Sequence, residues 1–316
     1  MLRFAARRLL AALLLVWLVA SAAFTLTWIA PGDAAGAALG FGASEEALAA
    51  ERARLGRDRP FLEQYGRWLA RAAAGDLGTS FLYRAPVAPL VAERAANTAL
   101  LGLAALVLAI ALGLPPAFYA ALRPGSRLAR VLSAVSVAAL SVPPFIGALL
   151  LLFVAARTGL LPTGPPPDAG DGILVRIGTL ASQLPLPALA LALPLAAAFE
   201  RQGTRALRAA LASPPVQAAR ARGAGPARLV FHHAWRLSLG PLIAFAGLAC
   251  ASLLGGAFVV ELITAWPGLG RLAYDALRAR DVYLVAGCAM AGGITLSAAL
   301  FAADLLGAWA DPRTRT

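Results

Sequence analysis

Few residues in this chain are of the types that usually carry out chemistry, and the most conspicuous are the neighbouring His232 and His233. Two imidazoles can hold a transition-metal ion when both face the same point. Neighbouring residues of a helix, however, point about 100° apart, so these two rings cannot easily share an ion. We therefore expect no metal site here, and we expect both histidines to make packing or interface contacts.

The other candidates for chemistry are equally weak. Cys250 and Cys288 lie in apolar stretches without the C-x-x-C spacing of zinc or disulfide sites, and are expected to pack as small hydrophobic residues. All 28 basic residues are arginine, so a phosphate-binding loop that depends on lysine is excluded. Metalloprotease and nucleophile-elbow motifs are also missing. We expect no catalytic residue, no enzyme activity and no cofactor held by this chain.

The elements that would position functional residues must lie largely in lipid. Hydrophobic residues make up 60% of the 316 positions and charged residues 14%, against about 45–50% and about 25% in soluble domains. A hydrocarbon core about 30 Å thick is crossed by roughly 20 helical residues. The sequence therefore predicts an all-α integral membrane protein with six transmembrane helices. The predicted spans are Leu9–Ala30, Thr98–Leu122, Val131–Ala156, Leu180–Phe199, Leu239–Val260 and Val282–Leu306.

Arginine placement predicts the orientation. With the N-terminus inside, the inner segments hold 15 of the 28 arginines and 3 of the 16 acidic residues, whereas the outer segments hold 13 of each. The whole net charge of +12 then lies on one side, which the positive-inside rule assigns to the cytoplasm. Both termini are predicted to be cytoplasmic. A basic groove with interleaved aromatic residues is missing, so we expect no nucleic-acid partner; membrane lipid accounts for the charge better.

The predicted organisation has three parts. Residues 1–30 form the N-terminus and the first span, which is too long for the apolar region of a signal peptide and is expected to be retained. Residues 31–97 form an outer, periplasmic segment. Residues 98–316 form a core with the five remaining spans. In the outer segment, Phe61, Leu62, Tyr65, Trp68 and Leu69 make one apolar helical stripe, which predicts a helix packed on the bundle.

The inner loop of residues 201–240 is unusually long and has a helical pattern. Ser213 is a predicted N-cap before Pro214, and Gly223 is a predicted C-terminal stop. Gly225-Pro226 is predicted to begin a second short helix, Ala227–Leu237. Small residues at the tip (Ala218, Ala219 and Gly223) would let another protein's backbone approach closely. The alternative is an amphipathic hairpin whose arginines meet anionic lipid at the inner leaflet.

Several motifs of this chain resemble those of ABC-importer permeases. The segment Gln217-Ala218-Ala219-x3-Gly223 is similar to their EAA loop, with Gln217 in the usual Glu position. The ordered set across the chain resembles the dipeptide, oligopeptide and nickel permeases, although Ala34 and Leu237 depart from the usual Pro and Asn. The similar segments are Arg7–Leu10, Pro31–Asp33, Gly75–Ser80, Ser141–Pro143, Leu161-Pro162, Ala219–Gly223 with His233, Arg236 and Pro241, Trp266–Gly270, Arg280-Asp281 and Asp311–Arg313.

This resemblance implies a type I ABC-importer permease fold and a division of labour among subunits. The loop would form a coupling helix that docks on a cytoplasmic ATPase, and residues 98–316 would be the permease core. Expected partners are a second homologous permease, two ATP-binding subunits that hold ATP-Mg, and a periplasmic or lipid-anchored solute-binding protein. The residues implied for coupling are Gln217, Ala218, Ala219, Arg220, Ala221, Arg222 and Gly223, and those of the periplasmic-loop motif are Trp266, Pro267, Gly268 and Gly270.

The resemblance leaves the solute open among dipeptides, oligopeptides, nickel chelates, glutathione-like molecules and opines, and it assigns no residue to the pathway. The main rival class is a secondary transporter or channel that works without ATP. That class predicts ionisable or broken-helix sites near mid-membrane and inverted repeats. The sequence offers no buried acid pair and no convincing repeat, and the long inner loop has no role in that class.

Overall fold

The computed structural model describes residues 2–30, 44–54, 59–164 and 173–310. The described residues are almost entirely helical, with one isolated antiparallel bridge between Thr79 and Pro86. The helices are α1 (Leu2–Ile29), α2 (Glu45–Arg54), α3 (Phe61–Ala73), α4 (Val87–Leu122), α5 (Arg127–Ser141), α6 (Pro144–Thr158), α7 (Ile173–Gln183), α8 (Pro185–Leu211), α9 (Pro214–Ala221), α10 (Pro226–Thr264), α11 (Leu269–Arg278) and α12 (Val282–Ala310).

Among the described residues, four helices are long and apolar enough to cross a membrane on their own: Arg7–Ile29 of α1, α4, α10 and Val282–Gly307 of α12. A fifth span results if α5 and α6 are counted together. These results confirm the predicted all-helical membrane architecture. The predicted fourth span, Leu180–Phe199, is divided between α7 and α8, because the chain breaks before Pro185. Helix α8 then continues to Leu211, so the first part of the inner loop is helical as well.

The predicted third span, Val131–Ala156, is not one continuous helix. This stretch forms α5 and α6, whose axes bend by 102° at Val142 and Pro143. Pro143 and Pro144 have no backbone N–H, and their rings clash with the carbonyls of a continuing helix. Proline also disfavours the helical conformation in the residue before it, and Val142 is extended with φ −88° and ψ 116°. Two consecutive prolines therefore end α5 and begin α6.

The predicted separate helix Ala227–Leu237 was also wrong. Helix α10 begins at Pro226, contains a π-helical turn over Leu229–Ala234, and continues through Pro241 to Thr264. Pro241 removes one backbone hydrogen bond, at a cost of about 3 kcal/mol in an isolated helix. The extensive packing of α10 on α8 and α6 offsets that cost. The last part of the loop, from Pro226 onward, and the fifth predicted span are therefore parts of one helix.

The described chain divides into two compact units. In the first unit, Met1–Ala99 with Pro267–Ser297, the predicted stripe of α3 packs on α1: Trp68 is 5.1 Å from Phe24, ring centre to ring centre. The hydroxyl of Tyr65 accepts a hydrogen bond from Trp17 Nε1 at 3.1 Å. Leu62 does not join this stripe, since 78% of its surface is exposed. The boundaries of these two units differ from those of the three predicted parts, residues 1–30, 31–97 and 98–316. The predicted boundaries follow membrane topology and stay a prediction.

In the second unit, Leu100–Trp266 with Ala298–Thr316, α8 lies at the centre and packs on α5, α6 and α10. Glycines allow α4 to approach α8 closely. A Cβ atom at Gly113 would overlap the carbonyl oxygen of Ala196, and one at Gly203 would lie 2.9 Å from Ala117 Cβ. Small residues at such crossings let helix backbones pack in lipid, where water does not drive association.

Candidate functional site

The loop of residues 201–240 is organised around the short helix α9. Ser213 stands at its N-cap position, but the predicted cap hydrogen bond is not formed. Pro214 and Pro215 have no N–H, and the N–H of Val216 already donates to the carbonyl of Ser213 at 3.1 Å. The hydroxyl of Ser213 instead donates to the carbonyl of Ala210 at 2.6 Å, which fixes α9 to the end of α8.

The other end of α9 confirms the predicted stop at Gly223. This glycine has φ +83°, in the left-handed region that residues with a Cβ rarely enter. The N–H of Gly223 donates to the carbonyl of Arg220 at 2.9 Å, and the N–H of Ala224 donates to that of Ala219 at 3.1 Å. These two bonds form a Schellman motif, which satisfies the last carbonyls of the helix and fixes the direction of the turn.

The loop has a small core of its own. Val216, Ala219 and Leu229 are buried together, with Leu211 and Ala224 packed against them. Ala219 is 3% exposed, so the expectation that it lies at an approachable tip was wrong. Ala219 faces inward because Val216, three residues earlier, is on the same face of α9. The exposed members of the predicted coupling segment are Gln217, Ala218, Arg220, Ala221, Arg222 and Gly223.

Two contacts fix the position of the loop relative to α4. Phe118 of α4 lies against Phe231 and Trp235, with ring centres 5.6 Å and 5.2 Å away. The guanidinium of Arg208 donates to the carbonyl of Ala120, in the last turn of α4, at 2.9 Å. A cation is favourable there because the C-terminal carbonyls of a helix carry partial negative charge. Sequence reasoning missed both contacts, since no local pattern pairs α4 with residues about 90–115 positions later.

The two histidines lie on the π-helical turn beside this aromatic contact. Their ring centres are 5.1 Å apart and their planes are nearly perpendicular, at 86°. His232 is exposed and His233 is half-buried. The two rings therefore contact each other edge to face, as packed aromatic rings do.

A second centre joins two motifs that are far apart in sequence. Asp281, fully buried, accepts hydrogen bonds at Oδ2 from Ser80 Oγ (2.6 Å) and from the backbone N–H groups of Phe81 (2.6 Å) and Leu82 (3.1 Å). Its Oδ1 accepts from the N–H of Leu284 at 3.1 Å. One carboxylate therefore holds the turn after Gly75–Ser80 and also caps α12. A buried carboxylate is stable only when several hydrogen-bond donors surround it, as they do here.

This turn presents a side chain outward. Tyr83 is 42% exposed and lines an open groove with Leu82, Asp275 and Arg278. Partial burial, helped by the negative charge of Asp275, raises the pKa of Tyr83 above its ordinary value. Arg84 next to it has φ +50°, which shows that the turn is held tightly enough to keep a non-glycine residue in the left-handed region.

The motif Trp266–Gly270 is anchored through its backbone. The carbonyl of Pro267 accepts from Asn97 Nδ2 at 2.8 Å, and the N–H of Leu269 donates to Thr98 Oγ1 at 2.7 Å. Gly268 is the extended residue before α11, and Gly270 lies in its first turn. Trp266 is 1% exposed. These residues therefore act as structural anchors. The motifs Pro31–Asp33, with Ala34, and Asp311–Arg313 lie outside the described residues.

Comparisons with known proteins identify the family of the chain. Residues 95–316 match the family model "Binding-protein-dependent transport system inner membrane component", and residues 1–102 match the model of its N-terminal region. The chain is 32% identical to the oligopeptide transport system permease protein AppB of Bacillus subtilis, over 82% of each chain. It is 30% identical to the glutathione transport system permease protein GsiC of Escherichia coli, over 89% of this chain and 88% of GsiC.

Two further comparisons extend to the full length and to the fold. The dipeptide transport system permease protein DppB of Alkalihalophilus pseudofirmus is 29% identical over the whole of both chains. Among solved structures, an inward-facing form of the MetNI methionine ABC transporter aligns with a TM-score of 0.52 and 20% identity, covering 70% of this chain and 96% of the matched chain. A permease fold, apolar helices of membrane-spanning length and a family model over most of the length agree, so the chain belongs to the family of binding-protein-dependent transport system inner membrane components.

Proposed function

We propose that this multi-pass inner-membrane chain moves peptides or related small solutes inward as one subunit of an ATP-driven importer. The relatives compared above are named for transport of oligopeptides, dipeptides and glutathione. These solutes share amide groups and charged termini. An ATP-independent transporter receives no support from the family. The solute is best tested by uptake of labelled dipeptides, oligopeptides and glutathione into liposomes that hold the complete complex and internal ATP.

The observation that carries the coupling proposal is the construction of the inner loop. Helix α9 has its own core, is fixed to α8 at one end, and ends in a Schellman turn at the exposed Gly223. A rigid, exposed helix of eight residues suits insertion into a cleft of an ATPase subunit. Gln217 is exposed, and its Nε2 donates to the carbonyl of Leu211 at 2.8 Å. This bond ties α9 to the last residue of α8.

The proposed assembly contains two homologous permeases, two ATP-binding subunits and a solute-binding protein. Site-specific cross-linking tests the docking part: an Ala218→Cys variant should form a disulfide with a cysteine placed in the cleft of the ATPase. A cysteine at the buried position 219 is the matched control and should react poorly. Equal cross-linking at both positions, or at neither, would contradict docking through the outer face of α9.

The proposed topology has six spans and cytoplasmic termini. In this topology α5 and α6 together form the third predicted span. Helices α7 and α8 together form the fourth. Gly125 and Gly225 have open space around them, so cysteines at these positions should fold normally. They should react with an impermeant thiol reagent only from the cytoplasmic side, and a cysteine replacing the exposed Ala73 should react only from the periplasm. Labelling of the Gly225→Cys variant from outside would overturn this topology.

A further inference from the structure

The break between α5 and α6 is a run of exposed residues within an apolar part of the second unit. All six residues from Ser141 to Ile146 are exposed, and the helix axes on either side bend by 102°. Ala148, two residues after this run, is fully buried against the core. The break is therefore an exposed segment beside a packed part of the second unit.

The backbone at this break has fewer hydrogen-bond donors than a helix. Pro143 and Pro144 would be the i+4 partners of the carbonyls of Ala139 and Leu140, but neither proline has an N–H. The N–H of Val142 reaches the carbonyl of Ala139 at 3.4 Å, at the long end of hydrogen-bond distances. The carbonyl of Leu140 loses its helical donor. The carbonyl of Pro143 accepts from the N–H groups of Ile146 (3.0 Å) and Gly147 (3.2 Å), so the acceptor that loses its helical partner at the break is the carbonyl of Leu140, an exposed residue.

The position of the break places these atoms within the thickness of the bilayer. Arg127 and Arg130 mark the start of α5 at the basic side of the chain. Ser141 is 14 residues from Arg127, or about 21 Å along a helix, whereas the hydrocarbon core is about 30 Å thick. Lipid cannot satisfy backbone carbonyls, so non-helical backbone at this depth is found in protein or along a water-filled cavity.

Side chains next to the break add to the polar character of this surface. Ser133 and Ser141 are exposed and eight residues apart, which puts their hydroxyls on one face of α5 about 12 Å apart. The Ser141 hydroxyl donates to the carbonyl of Val137 at 3.0 Å, and its oxygen keeps lone pairs that can accept. Phe145 and Ile146 add apolar surface beside these acceptors.

We infer that the break Ser141–Ile146 and the end of α5 before it line the solute pathway, where the carbonyl of Leu140 and the hydroxyls of Ser133 and Ser141 accept hydrogen bonds from the amide N–H and ammonium groups of a peptide-like solute. Backbone acceptors recognise groups that all peptides share, while Phe145 and Ile146 contact varied side chains. This inference rests on the proposed function for the identity of the solute. The water-facing position of the break is independent of it.

The test uses the complete complex in membranes, with Cys250 and Cys288 replaced by alanine. Single cysteines are introduced by Val142→Cys at the break and, as control, by Phe153→Cys on α6. Phe153 is 60% exposed but lies within continuous helix, so it should face lipid. A charged methanethiosulfonate should modify the Val142→Cys variant at least about tenfold faster than the control. A saturating transported peptide should slow that modification several-fold.

The possible outcomes separate the explanations. Equally slow modification of both variants would place the break in lipid and overturn the inference. Fast modification of the isolated chain with none in the complex would show that the second permease covers the break, and would overturn it too. Fast modification without protection by peptide would contradict solute contact. Uptake of the same peptide by the cysteine-free parent tests the proposed function separately, since a parent that fails to import it can still have a water-accessible break.

Discussion

Ser80 and Asp281 are 201 residues apart in the chain, and the hydroxyl of Ser80 donates to Oδ2 of Asp281 at 2.6 Å. The same oxygen accepts from the N–H groups of Phe81 and Leu82, so one buried carboxylate determines the shape of the turn that presents Tyr83. Each buried donor left without a partner costs about 1–3 kcal/mol.

Removal of this carboxylate should loosen the turn. In an Asp281→Ala variant, Ser80, Phe81 and Leu82 lose their shared acceptor, and we expect faster hydrogen exchange over residues 79–86 and a lower melting temperature of the purified protein. The control is Glu63→Gln, which removes exposed i,i+4 ion pairs with Arg59 and Arg67 that contribute about 0–1 kcal/mol. Equal exchange in the two variants would show that Asp281 does not hold the turn.

Gly223 gives a sharp test of the coupling proposal. Its φ of +83° makes Gly223→Val strained by about 1–2 kcal/mol, although the space around it is open. We expect normal membrane insertion, loss of uptake, and loss of solute-stimulated ATP hydrolysis in the complex. Gly225→Ala is the matched control, because Gly225 has an ordinary φ of −68° and equally open surroundings. Normal coupling in the Gly223→Val variant would refute docking through this turn.

Neighbouring alanines of α9 should fail in different ways. Ala219 is buried against Val216 and Leu229, so Ala219→Trp should overpack the loop, at a cost of about 1–3 kcal/mol, and reduce the yield of folded protein. Ala218 is exposed, so Ala218→Trp should leave yield unchanged and reduce ATPase binding to the purified permease pair. Chromatographic yield and pull-down of the ATPase measure the two effects. If both variants gave a reduced yield, the conclusion that Ala219 faces inward and Ala218 faces outward would be contradicted.

The crossing of α4 and α8 should tolerate no side chain at Gly113. In a Gly113→Ala variant the new methyl group overlaps the carbonyl oxygen of Ala196, and we expect destabilisation of about 1–3 kcal/mol. Gly102→Ala, on the same helix with nothing within 4 Å, is the control and should have little effect. The melting temperatures of the two detergent-purified variants decide the comparison.

The sequence predicts what depends on local pattern and composition. Three features were predicted correctly, because each depends on periodicity or on glycine's conformational range. They are the apolar spans of α1, α4, α10 and α12, the stop at Gly223, and the packing of α3 through Trp68. The predicted span Val131–Ala156 follows the length of the apolar run. It does not account for the missing N–H groups of Pro143 and Pro144, which end α5 and begin α6.

Features that depend on distant partners could not be predicted. Whether Ala218 or Ala219 faces inward depends on where Leu229 packs. Arg208 lies outside the predicted coupling segment of residues 217–223. The structure shows that Arg208 caps the last turn of α4, so Arg208→Ala would disturb the support of the loop. The bond of Asp281 to Ser80 has no local signal at all.

The continuity of α10 has a mechanical consequence. Pro226, beside the turn that ends α9, and Thr264 lie on one helix of 39 residues, which is about 58 Å long. If a helix of this length tilts as one body by about 5° about one end, its other end moves by about 5 Å. A movement at the base of α9 is therefore carried to the opposite end of the second unit by one helix, through its π-helical turn and Pro241.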